Sequence, residues 1–564
     1  MKVMRRSLII VVLMVLFGNL GFANPEGKTK INIILKEQSD ATELMRTASV
    51  FPNKAARREF VVNALKRQAS VSQFAILQQL DEWESVGQVE EIRPLWIVNS
   101  VSCYATETVI QELELRNDIM TVYPCEQLPL IDESQATAVE SGNSREITEN
   151  LLQVNADRVW ELGYTGEGVL IAIIDTGVSL THADLQGQFW DGGAEFPNHG
   201  YDFADHDNNP SDRHGHGTHV AGTLCGTGLS GAQTGVAPNA KIMVLKVFGD
   251  NQQTDETFLV EAIQFAVEHG ADLLNMSLGW PYPDPEVKLM CRQACENTLA
   301  AGIVASVAAG NVRDLQYLVP IPHNIYTPGD CPPPYLHEDQ MVNPGGVSCV
   351  ISVGAVDYND TITYFSSVGP STWTNVALYN DYPYNPESPT EIGLIRPDIC
   401  APGMNIKSLD YHNDNGYCLM DGTSMATPCV AGTIALMLSK NPELTPAQID
   451  EILERTAVPL STHKNNDFGS GRIDALAAVE AVDHDATTEM TSQQALVYPN
   501  PSTGDFTIQC DGMKQIEVFS MDGQLMRSIN TASPVQQLKG LPNGTYLVRI
   551  TTIDGTIVRK VVKL

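Results

Sequence analysis

The chain has 564 residues, too many for one ordinary domain and typical of about two to four. Hydrophobic residues make up 43% of the sequence, enough to build cores, which excludes a chain that is disordered throughout. The formal net charge of -33 argues against nucleic acid and anionic membranes as partners, because both are negatively charged. The surplus carboxylates either keep the surface soluble or gather into cation sites.

Residues 1–23 have the features of a secretory signal. Basic residues near the start precede an apolar run over 8–17, and Ala23 is suited to cleavage by signal peptidase. The run is short for a membrane span, and no later stretch is long and apolar enough for one. We therefore expect an exported protein that reaches the cell surface or the medium.

Eleven cysteines in an exported chain permit disulfides, and their odd number leaves at least one thiol unpaired. Their spacing contains no CxxC pair and no zinc pattern. The pairings that we expect, if disulfides form, are Cys103 with Cys125 and Cys331 with Cys349.

Residues 24–147 are predicted to form a small α+β unit and a linker. Strand-like runs and helical patterns follow one another as KINIILK, the stretch 55–83, PLWIVNSVSCYA, the stretch TETVIQELELR and IMTVYP. The order of strand, helix, two strands, helix and strand is typical of a ferredoxin-like fold. The polar, aperiodic segment 128–147 indicates the linker.

Residues 148–482 alternate strands with helices. Continuous hydrophobic runs, typical of buried parallel strands, are GVLIAIID, KIMVLKVF, DLLNMSL, GIVASVAA and CVISVGAV. Segments with helical spacing are ETFLVEAIQFAVEHG, PEVKLMCRQACENTLAAG and SMATPCVAGTIALMLSK. The pattern predicts an α/β domain with a doubly wound parallel sheet.

A second polar stretch, 483–495, leads to a C-terminal segment, 496–564, with the period-two alternation of β-strands. Asp522-Gly523 and Asp554-Gly555 interrupt the alternation and are typical of hairpin turns. We expect a small all-β sandwich here.

Three motifs in the α/β segment carry residues with catalytic chemistry. AIIDTGV places Asp175 at the carboxyl end of the first predicted strand. HGHGTHVAGT places His216, and DGTSMATPCVAG places Ser424, at the start of a helix of small residues. Because the carboxyl ends of the strands of a doubly wound sheet meet in one crevice, the three side chains can converge there.

The residues and the order of these motifs resemble those of the subtilisin-like serine proteases, the subtilases. Subtilisin, a member of that family, has the same order of Asp, His and Ser. The resemblance covers about 335 residues and includes LLQVNADRVWELGYTGEGVLIAIIDTGV. It implies a secreted endopeptidase in which Ser424 is the nucleophile, His216 the base and Asp175 the carboxylate that orients His216. A serine hydroxyl is a poor nucleophile at neutral pH and needs such a base.

The oxyanion that forms during acyl transfer needs hydrogen-bond donors. Ser424 lies at a helix N-terminus, where its backbone N–H is within the positive end of the helix dipole. Asn311 in SVAAGN matches the oxyanion asparagine of the subtilases, so the resemblance implies that it is the second donor. The alternative for Asn311 is a turn residue at the end of a strand.

His214, His216 and His219 form a cluster in RHGHGTHVAGT. The resemblance makes His216 the base, and we expect His219 to be a buried histidine bonded to backbone and His214 to be exposed. A zinc site needs further ligands at a known spacing, which this turn does not offer. A metallohydrolase that uses the three histidines is the alternative.

NMSLG, residues 275–279, resembles the strand on which subtilases bind their substrates. An extended protein or peptide substrate would add there through main-chain hydrogen bonds to Ser277, Leu278 and Gly279. The alternative is a core strand that ends in a turn. The connection 311–350 is longer than is usual in subtilases and should help to wall the specificity pocket, which leaves the preferred side chain open.

The acidic stretch GYDFADHDNNPSDRHGHG resembles a calcium loop of the subtilases, and Ca²⁺ is the cofactor that we expect. Carboxylates at this spacing can gather oxygens around Ca²⁺. The expected ligands are Asp202, Asp205, Asp207 and Asn209. Asp184 in HADL matches another subtilase calcium ligand, without the rest of that site. The alternative is a solvated acidic loop.

The flanking segments complete the resemblance to a secreted precursor. Residues 29–127, within the segment 24–147, resemble subtilase propeptides, which assist folding and inhibit the enzyme, so maturation would cut within 128–148. Residues 496–564, from VYPNPSTGDFTI onward, resemble the C-terminal sorting domain of type IX secretion, which implies export via the periplasm. A carbohydrate- or protein-binding sandwich is the alternative for this segment.

For the whole chain, the alternative is a catalytically silent binding or adhesion protein on the same fold.

Overall fold

The fold is given by a computed structural model of the chain. The residues that it describes are 27–51, 53–129, 136–139, 146–333, 335–336, 340, 346–347, 350–482, 496–498, 500, 502, 504–510, 512–520, 524–552 and 556–563. The expected signal, the expected linker 483–495 and the two Asp-Gly turns lie outside these residues. No helix in the described part of the chain is long and apolar enough to cross a membrane.

An antiparallel sheet of four strands, together with four helices, forms the N-terminal unit. Its strands are β1 (Lys28–Leu35), β2 (Val89–Leu95), β3 (Ser100–Thr106) and β4 (Ile119–Pro124). Its helices are α1 (Ala41–Ala48), α2 (Lys54–Ser72), α3 (Phe74–Ser85) and α4 (Glu107–Glu114). The strand order β2-β3-β1-β4 is that of the ferredoxin-like unit expected from the sequence.

One helical run in this unit is broken where the sequence predicts continuity, and the two strands expected between the helical patterns are present. The predicted helix 55–83 is two helices that meet at Gln73, whose buried amide donates hydrogen bonds to the carbonyls of Leu95 and Ser100. PLWIVNSVSCYA is two strands joined by a turn in which Asn99 has a φ of 42°. Asn adopts such a φ more readily than most residues, so the chain reverses there.

The segment predicted as an aperiodic linker, 128–147, contributes short strands to the α/β domain. The strands are β5 (Gln127–Pro129), β6 (Thr137–Val139) and β7 (Glu146–Ile147). Their partners are, in the same order, Gln253–Asp255, Tyr417–Met420 and Ala232–Gln233. The N-terminal unit is therefore joined to the α/β domain through backbone pairing.

Seven parallel strands form the central sheet of the α/β domain. They are β8 (Leu170–Asp175), β9 (Gly200–Asp202), β11 (Lys241–Lys246), β13 (Leu273–Met276), β14 (Val304–Ala308), β17 (Val350–Val356) and β20 (Ile399–Pro402). Their order in the sheet is β20-β17-β14-β13-β8-β11-β9. All five predicted strands are in this sheet. The outer strands β9 and β20 have only 3 and 4 residues, too few for a hydrophobic pattern to indicate them.

Helices cover both faces of the sheet, as the doubly wound prediction requires. They are α5 (Glu149–Gln153), α6 (Ala156–Glu161), α7 (His216–Cys225), α8 (Glu256–Glu268), α9 (Pro285–Ala300), α10 (Thr423–Lys440), α11 (Pro446–Thr456) and α12 (Ala475–Ala481). Ile171 and Ile173 of β8 pack in one core with α7 and α10. Ala172 and Ile174 pack in a second core with α8 and α9.

Short strands lie around the central sheet of the α/β domain. They are β10 (Ala232–Gln233), β12 (Gln253–Asp255), β15 (Tyr335–Leu336), β16 (Gly346–Val347), β18 (Trp373–Val376), β19 (Tyr379–Asp381), β21 (Ile406–Leu409) and β22 (Tyr417–Met420). Of these, β12 and β22 receive the strands β5 and β6 described above.

Two antiparallel sheets form the C-terminal unit and confirm the expected all-β architecture. The strands are β23 (Leu496–Tyr498), β24 (Phe506–Gln509), β25 (Met513–Ser520), β26 (Leu525–Asn530), β27 (Val535–Leu538), β28 (Gly544–Thr552) and β29 (Thr556–Lys563). The sheet orders are β23-β24-β27 and β26-β25-β28-β29. Ile508 and Phe506 of the first sheet share a core with Ile516 and Val548 of the second.

The expected disulfide between Cys103 and Cys125 is wrong, because both are free thiols. Cys103 is buried in the core of the N-terminal unit, whereas Cys125 accepts a hydrogen bond from Asn32 on the opposite side of the sheet. Side chains on opposite faces of a sheet cannot be joined. Cys349 lies outside the described residues, so its pairing with Cys331 stays a prediction.

Candidate active site

The three motif residues lie where strands of the central sheet end and helices begin. Asp175 is the last residue of β8, His216 is the first residue of α7, and Ser424 is the second residue of α10. Parallel strands place their carboxyl ends at one edge of the sheet, and both helices start there. The arrangement of the strands in the sheet therefore brings three distant segments of the chain together.

Asp175 and His216 form a buried hydrogen-bonded pair. His216 Nδ1 lies 2.7 Å from Asp175 Oδ1, and the two side chains are 6% and 1% exposed. The backbone N–H of Thr176 donates to the same carboxylate oxygen at 2.8 Å. With Nδ1–H donating to the carboxylate, Nε2 of the imidazole is the nitrogen that can accept a proton.

The close approach of α7 to Asp175 depends on Gly217. A Cβ atom at this position would lie 2.1 Å from the carbonyl oxygen of Gly177 and 3.2 Å from Cβ of Asp175. Any side chain here would push the helix away from the strand. The small residue after His216 is therefore a requirement of the Asp–His contact.

Asp212 is a positioning residue for His216 that the sequence analysis assigned only to the acidic loop. One oxygen of its carboxylate accepts hydrogen bonds from the N–H of Gly215 and from Thr176 Oγ1, and the other from the N–H of Thr218. It thus ties the start of α7 to the residue after Asp175. A carboxylate four residues before a helix that starts at His216 is the signal that could have indicated this role.

Ser424 lies at the start of α10, two residues after a glycine whose backbone conformation leads the chain into the helix. Gly422 has a φ of 154°, a backbone conformation that favours glycine. Ser424 Oγ donates a hydrogen bond to the carbonyl oxygen of Ser277 at 3.2 Å, and Ser277 Oγ donates to the carbonyl oxygen of Ser424 at 2.9 Å. The hydroxyl is therefore held in the cleft, beside the end of β13.

The amide of Asn311 is held in one orientation by Thr423. The backbone N–H and the hydroxyl of Thr423 both donate to Asn311 Oδ1, at 2.9 and 3.0 Å. This leaves Nδ2, the donor of the amide, on the other side of the group. A Cβ atom at Gly422 would lie 3.6 Å from Nδ2, so the donor is beside the start of α10.

One cleft contains these side chains together with the expected substrate strand. Its lining residues are Leu128, His216, Phe248, Ser277, Leu278, Gly279, Ala308, Gly310, Asn311, Tyr326, Thr423 and Ser424. Ser277, Leu278 and Gly279 follow β13 directly and form one wall. Their main-chain hydrogen bonds to a substrate stay a prediction.

The other two histidines of the cluster have separate environments. His219 is buried, and its Nε2 lies 3.0 Å from the carbonyl oxygen of Ile406. Burial lowers the pKa of His219 to about 3, so this imidazole is neutral at physiological pH. His214 is partly buried rather than exposed, and its backbone N–H donates to Asp212. Within the described ranges, no three His, Cys, Asp or Glu side chains group as metal ligands.

Two of the five expected calcium ligands are already bound to protein groups. Asp202 is buried, with Oδ2 at 2.7 Å from Lys246 Nζ and Oδ1 accepting from two backbone N–H groups. Asp184 accepts hydrogen bonds from the Ser230 N–H and the Tyr417 hydroxyl. An ammonium group this close to Asp202 opposes a cation, so Asp202 does not fit a calcium site as it is arranged.

The remaining expected ligands are exposed in the turn after β9. Asp205, Asp207 and Asn209 are exposed, and Asp207 Oδ1 accepts a hydrogen bond from the N–H of Asn209 at 2.7 Å. Calcium binding stays a prediction for these three residues and, at a separate place, for Asp184.

The end of the N-terminal unit lies in the same cleft. β5 pairs antiparallel with β12, with Leu128 opposite Thr254, and Leu128 lines the cleft with His216 and Ser424. The leucine is 3% exposed. A strand of the chain itself thus runs along one wall of the cleft.

A buried polar cluster joins the N-terminal unit to the start of α8. Lys30 Nζ lies 2.6 Å from Asp255 Oδ2, and Asn32 Nδ2 donates to Glu256 at 2.8 Å. The backbone N–H of Glu126 donates to the other oxygen of Glu256 at 3.0 Å. Burial, with the charge of Asp255, raises the pKa of Glu256, and burial raises the pKa of Glu126 to about 7.

Comparison with known proteins gives a family for most of this region. Residues 166–471 match the Subtilase family, and residues 496–564 match a secretion system C-terminal sorting domain. The chain is 29% identical over 580 residues to Bacillopeptidase F of Bacillus subtilis, a match that covers 95% of this chain and 37% of that protein. It is 32% identical to Subtilisin DY of Bacillus licheniformis, over 58% of this chain and 96% of that protein. It is 30% identical to Serine protease AprX of Bacillus subtilis, over 60% of this chain and 70% of that protein.

Proposed function

The chain belongs to the subtilase family of serine peptidases, and from that premise we propose that it is a secreted endopeptidase with the triad Asp175, His216 and Ser424. The observation that carries this proposal is the meeting of Ser424, His216 and Asn311 in one cleft, with Asp175 behind the imidazole. The protein substrates follow from the family.

In the proposed mechanism, His216 Nε2 takes the proton of Ser424 Oγ as the oxygen attacks the scissile carbonyl. For this step, the Ser424 hydroxyl has to turn toward His216, away from the Ser277 carbonyl to which it donates in this structure. Asp175 stabilises the imidazolium that forms. His216 then returns the proton to the leaving amine, and water hydrolyses the acyl-enzyme by the same steps.

Two donors would stabilise the oxyanion. Asn311 Nδ2 is available because Thr423 holds Oδ1, and the backbone N–H of Ser424 is at the first turn of α10. Donors that are fixed before the reaction stabilise the developing charge without reorganisation.

We also propose that the N-terminal unit inhibits the enzyme until it is removed. The pairing of β5 with β12 and the position of Leu128 in the cleft support this, because a strand at this place excludes a substrate strand. The C-terminal sorting domain indicates export by type IX secretion to the cell surface or the extracellular space.

Replacing Ser424 by Ala tests the triad. We expect the purified variant to lose casein hydrolysis and labelling by a serine-reactive phosphonate, and to retain the N-terminal unit uncleaved. Ser439→Ala is the matched control, because Ser439 is in the same helix and its hydroxyl donates to the carbonyl of Leu436. It should behave as the wild type.

Three results distinguish the alternatives. Casein hydrolysis retained by Ser424→Ala would rule out the triad assignment. Activity lost with a chelator but kept with the phosphonate would favour a metallohydrolase. No hydrolysis and no labelling of the processed wild type would favour a silent binding protein.

A further inference from the structure

The positions of the catalytic atoms indicate where one substrate side chain would bind. It is the side chain of the residue that supplies the scissile carbonyl. The scissile carbonyl has to lie between Ser424 Oγ and Asn311 Nδ2. Beside these two atoms, the cleft is lined by residues 277–279 and by Ala308 and Gly310. An extended substrate directs the side chain of the residue that supplies this carbonyl out of the strand, into the slot between these lining residues.

The side chain of Tyr326 occupies this slot. A Cβ atom at Gly310 would lie 2.5 Å from Cδ1 and 2.7 Å from Cγ of the Tyr326 ring. A Cβ atom at Gly279 would lie 2.8 Å from Cβ of the same tyrosine. The tyrosine therefore packs directly on both glycine backbones, in the space that the two missing side chains leave open.

Backbone hydrogen bonds on both sides hold Tyr326 in place. Its N–H donates to the carbonyl oxygen of Ala309 at 2.9 Å, and its own carbonyl accepts from the N–H of Asp330 at 3.0 Å. The next residue, Thr327, exchanges two backbone hydrogen bonds with Trp280, at 2.8 and 3.0 Å. Tyr326 is 5% exposed and shares an apolar cluster with Val312. These bonds fix the backbone of Tyr326 beside the slot, and the burial of the side chain keeps the ring in it.

We propose that Tyr326 closes the specificity pocket, so that the enzyme cleaves after small residues such as Ala, Ser and Gly. This inference rests on the proposed function. A tyrosine ring fills the volume that an aromatic or long aliphatic side chain would need. Overfilling a packed site forces its backbone walls apart. This costs more free energy than is gained by burying the larger side chain.

The test uses the secreted, processed enzyme and a series of peptides that differ only in the residue before the cleaved bond: Ala, Ser, Leu or Phe. Active sites are first counted with a small fluorophosphonate that has no side chain to place in the slot. We expect the wild type to have a kcat/KM for Ala at least tenfold above that for Phe. A difference of one methylene group between two substrates already changes the ratio of their kcat/KM values by roughly 10- to 200-fold.

Variants of Tyr326 show whether its ring sets this preference. Tyr326→Ala should raise the ratio of kcat/KM for Phe over Ala by roughly 10- to 200-fold. Tyr326→Leu keeps more volume for folding and should give an intermediate ratio. Tyr326→Phe keeps the ring and should match the wild type, as should Tyr317→Ala, an exposed tyrosine of the same connection.

The outcomes separate this inference from the function on which it rests. A wild type that is labelled by the fluorophosphonate but prefers Phe or Leu overturns the inference and leaves the peptidase assignment. An unchanged Phe-to-Ala ratio in labelled Tyr326→Leu and Tyr326→Ala also overturns it. A wild type that is neither labelled nor active overturns the peptidase assignment and the inference together.

Discussion

At the scale of single residues, hydrogen bonds from neighbours decide which atom of each candidate catalytic group faces the cleft. Asp175 accepts from the imidazole Nδ1, and Thr423 holds the oxygen of the Asn311 amide. The other nitrogens, Nε2 of His216 and Nδ2 of Asn311, are the ones that the proposed chemistry uses. Neighbouring side chains thus orient the groups before a substrate arrives, which is the condition for effective electrostatic stabilisation.

Asn311→Leu tests the role of the amide at this scale. The variant keeps a similar volume and removes one oxyanion donor, so kcat should fall by about 10²- to 10³-fold with little change in KM. Steady-state kinetics on one of the peptides above, with the melting temperature as a check on folding, measures this. A variant within about threefold of the wild type would mean that Asn311 is a turn residue.

At the scale of elements, the loop between β9 and α7 connects the edge of the sheet to the histidine helix. Its first carboxylate, on Asp202, binds Lys246 of the neighbouring strand β11, and its last, on Asp212, binds the start of α7. Both ends of the loop are therefore fixed by protein groups. The exposed residues between them are where a cation could still bind.

Removal of Ca²⁺ tests this loop. If Asp205 and Asp207 bind Ca²⁺ in the folded protein, the ion stabilises the fold by mass action. A chelator should then lower the melting temperature of the wild type and leave that of Asp205→Ala/Asp207→Ala unchanged. Asp410→Ala is a control, because Asp410 is in a different turn, where it accepts from the N–H of His412. Equal responses of wild type and double variant would favour a solvated acidic loop.

At the scale of the whole molecule, buried carboxyl groups lie where the N-terminal unit contacts the α/β domain. Glu126 and Glu256 both have raised pKa values, caused first by burial. Asn32 donates to Glu256, the charge of Asp255 acts on it, and the backbone N–H of Asp284 donates to Glu126. Both carboxyls are therefore more readily protonated when the unit is docked than when it is free.

This arrangement predicts docking that weakens as the pH rises. A group whose pKa is raised in the docked state contributes most below its ordinary value, about 4.5, and this contribution is lost as the pH rises to its docked value, about 7 for Glu126. Hydrogen exchange of β5 in the uncleaved Ser424→Ala precursor, corrected for intrinsic exchange, should show protection that falls across this range.

A variant with amides in place of the two carboxyls provides the comparison. Glu126→Gln/Glu256→Gln cannot titrate, so its protection should change little over the same range of pH. Glu82→Gln, at an exposed position in α3, should retain the dependence of the precursor. The same slope in the double variant and the precursor would show that these carboxyls do not control docking.

Much of the fold and part of the candidate site could be predicted because they depend on local patterns. Continuous hydrophobic runs indicate buried strands such as β8, and the motifs around Asp175, His216 and Ser424 place each residue at the end of a strand or the start of a helix. The Subtilase family match and the seven-stranded sheet confirm the predicted fold class. The short outer strands, β9 and β20, were not predicted, because three or four residues are too few to show a hydrophobic pattern.

The sequence by itself determined the family, the domain types and the residues of the candidate triad, because motifs and periodicity are carried by neighbouring residues. Only the tertiary structure decided that Lys246 holds Asp202, that Leu128 lies in the cleft, and that Tyr326 packs between Gly279 and Gly310. Each of these contacts joins residues from separate segments. Their free energies depend on distance, burial and shape after folding, which no single stretch of sequence contains.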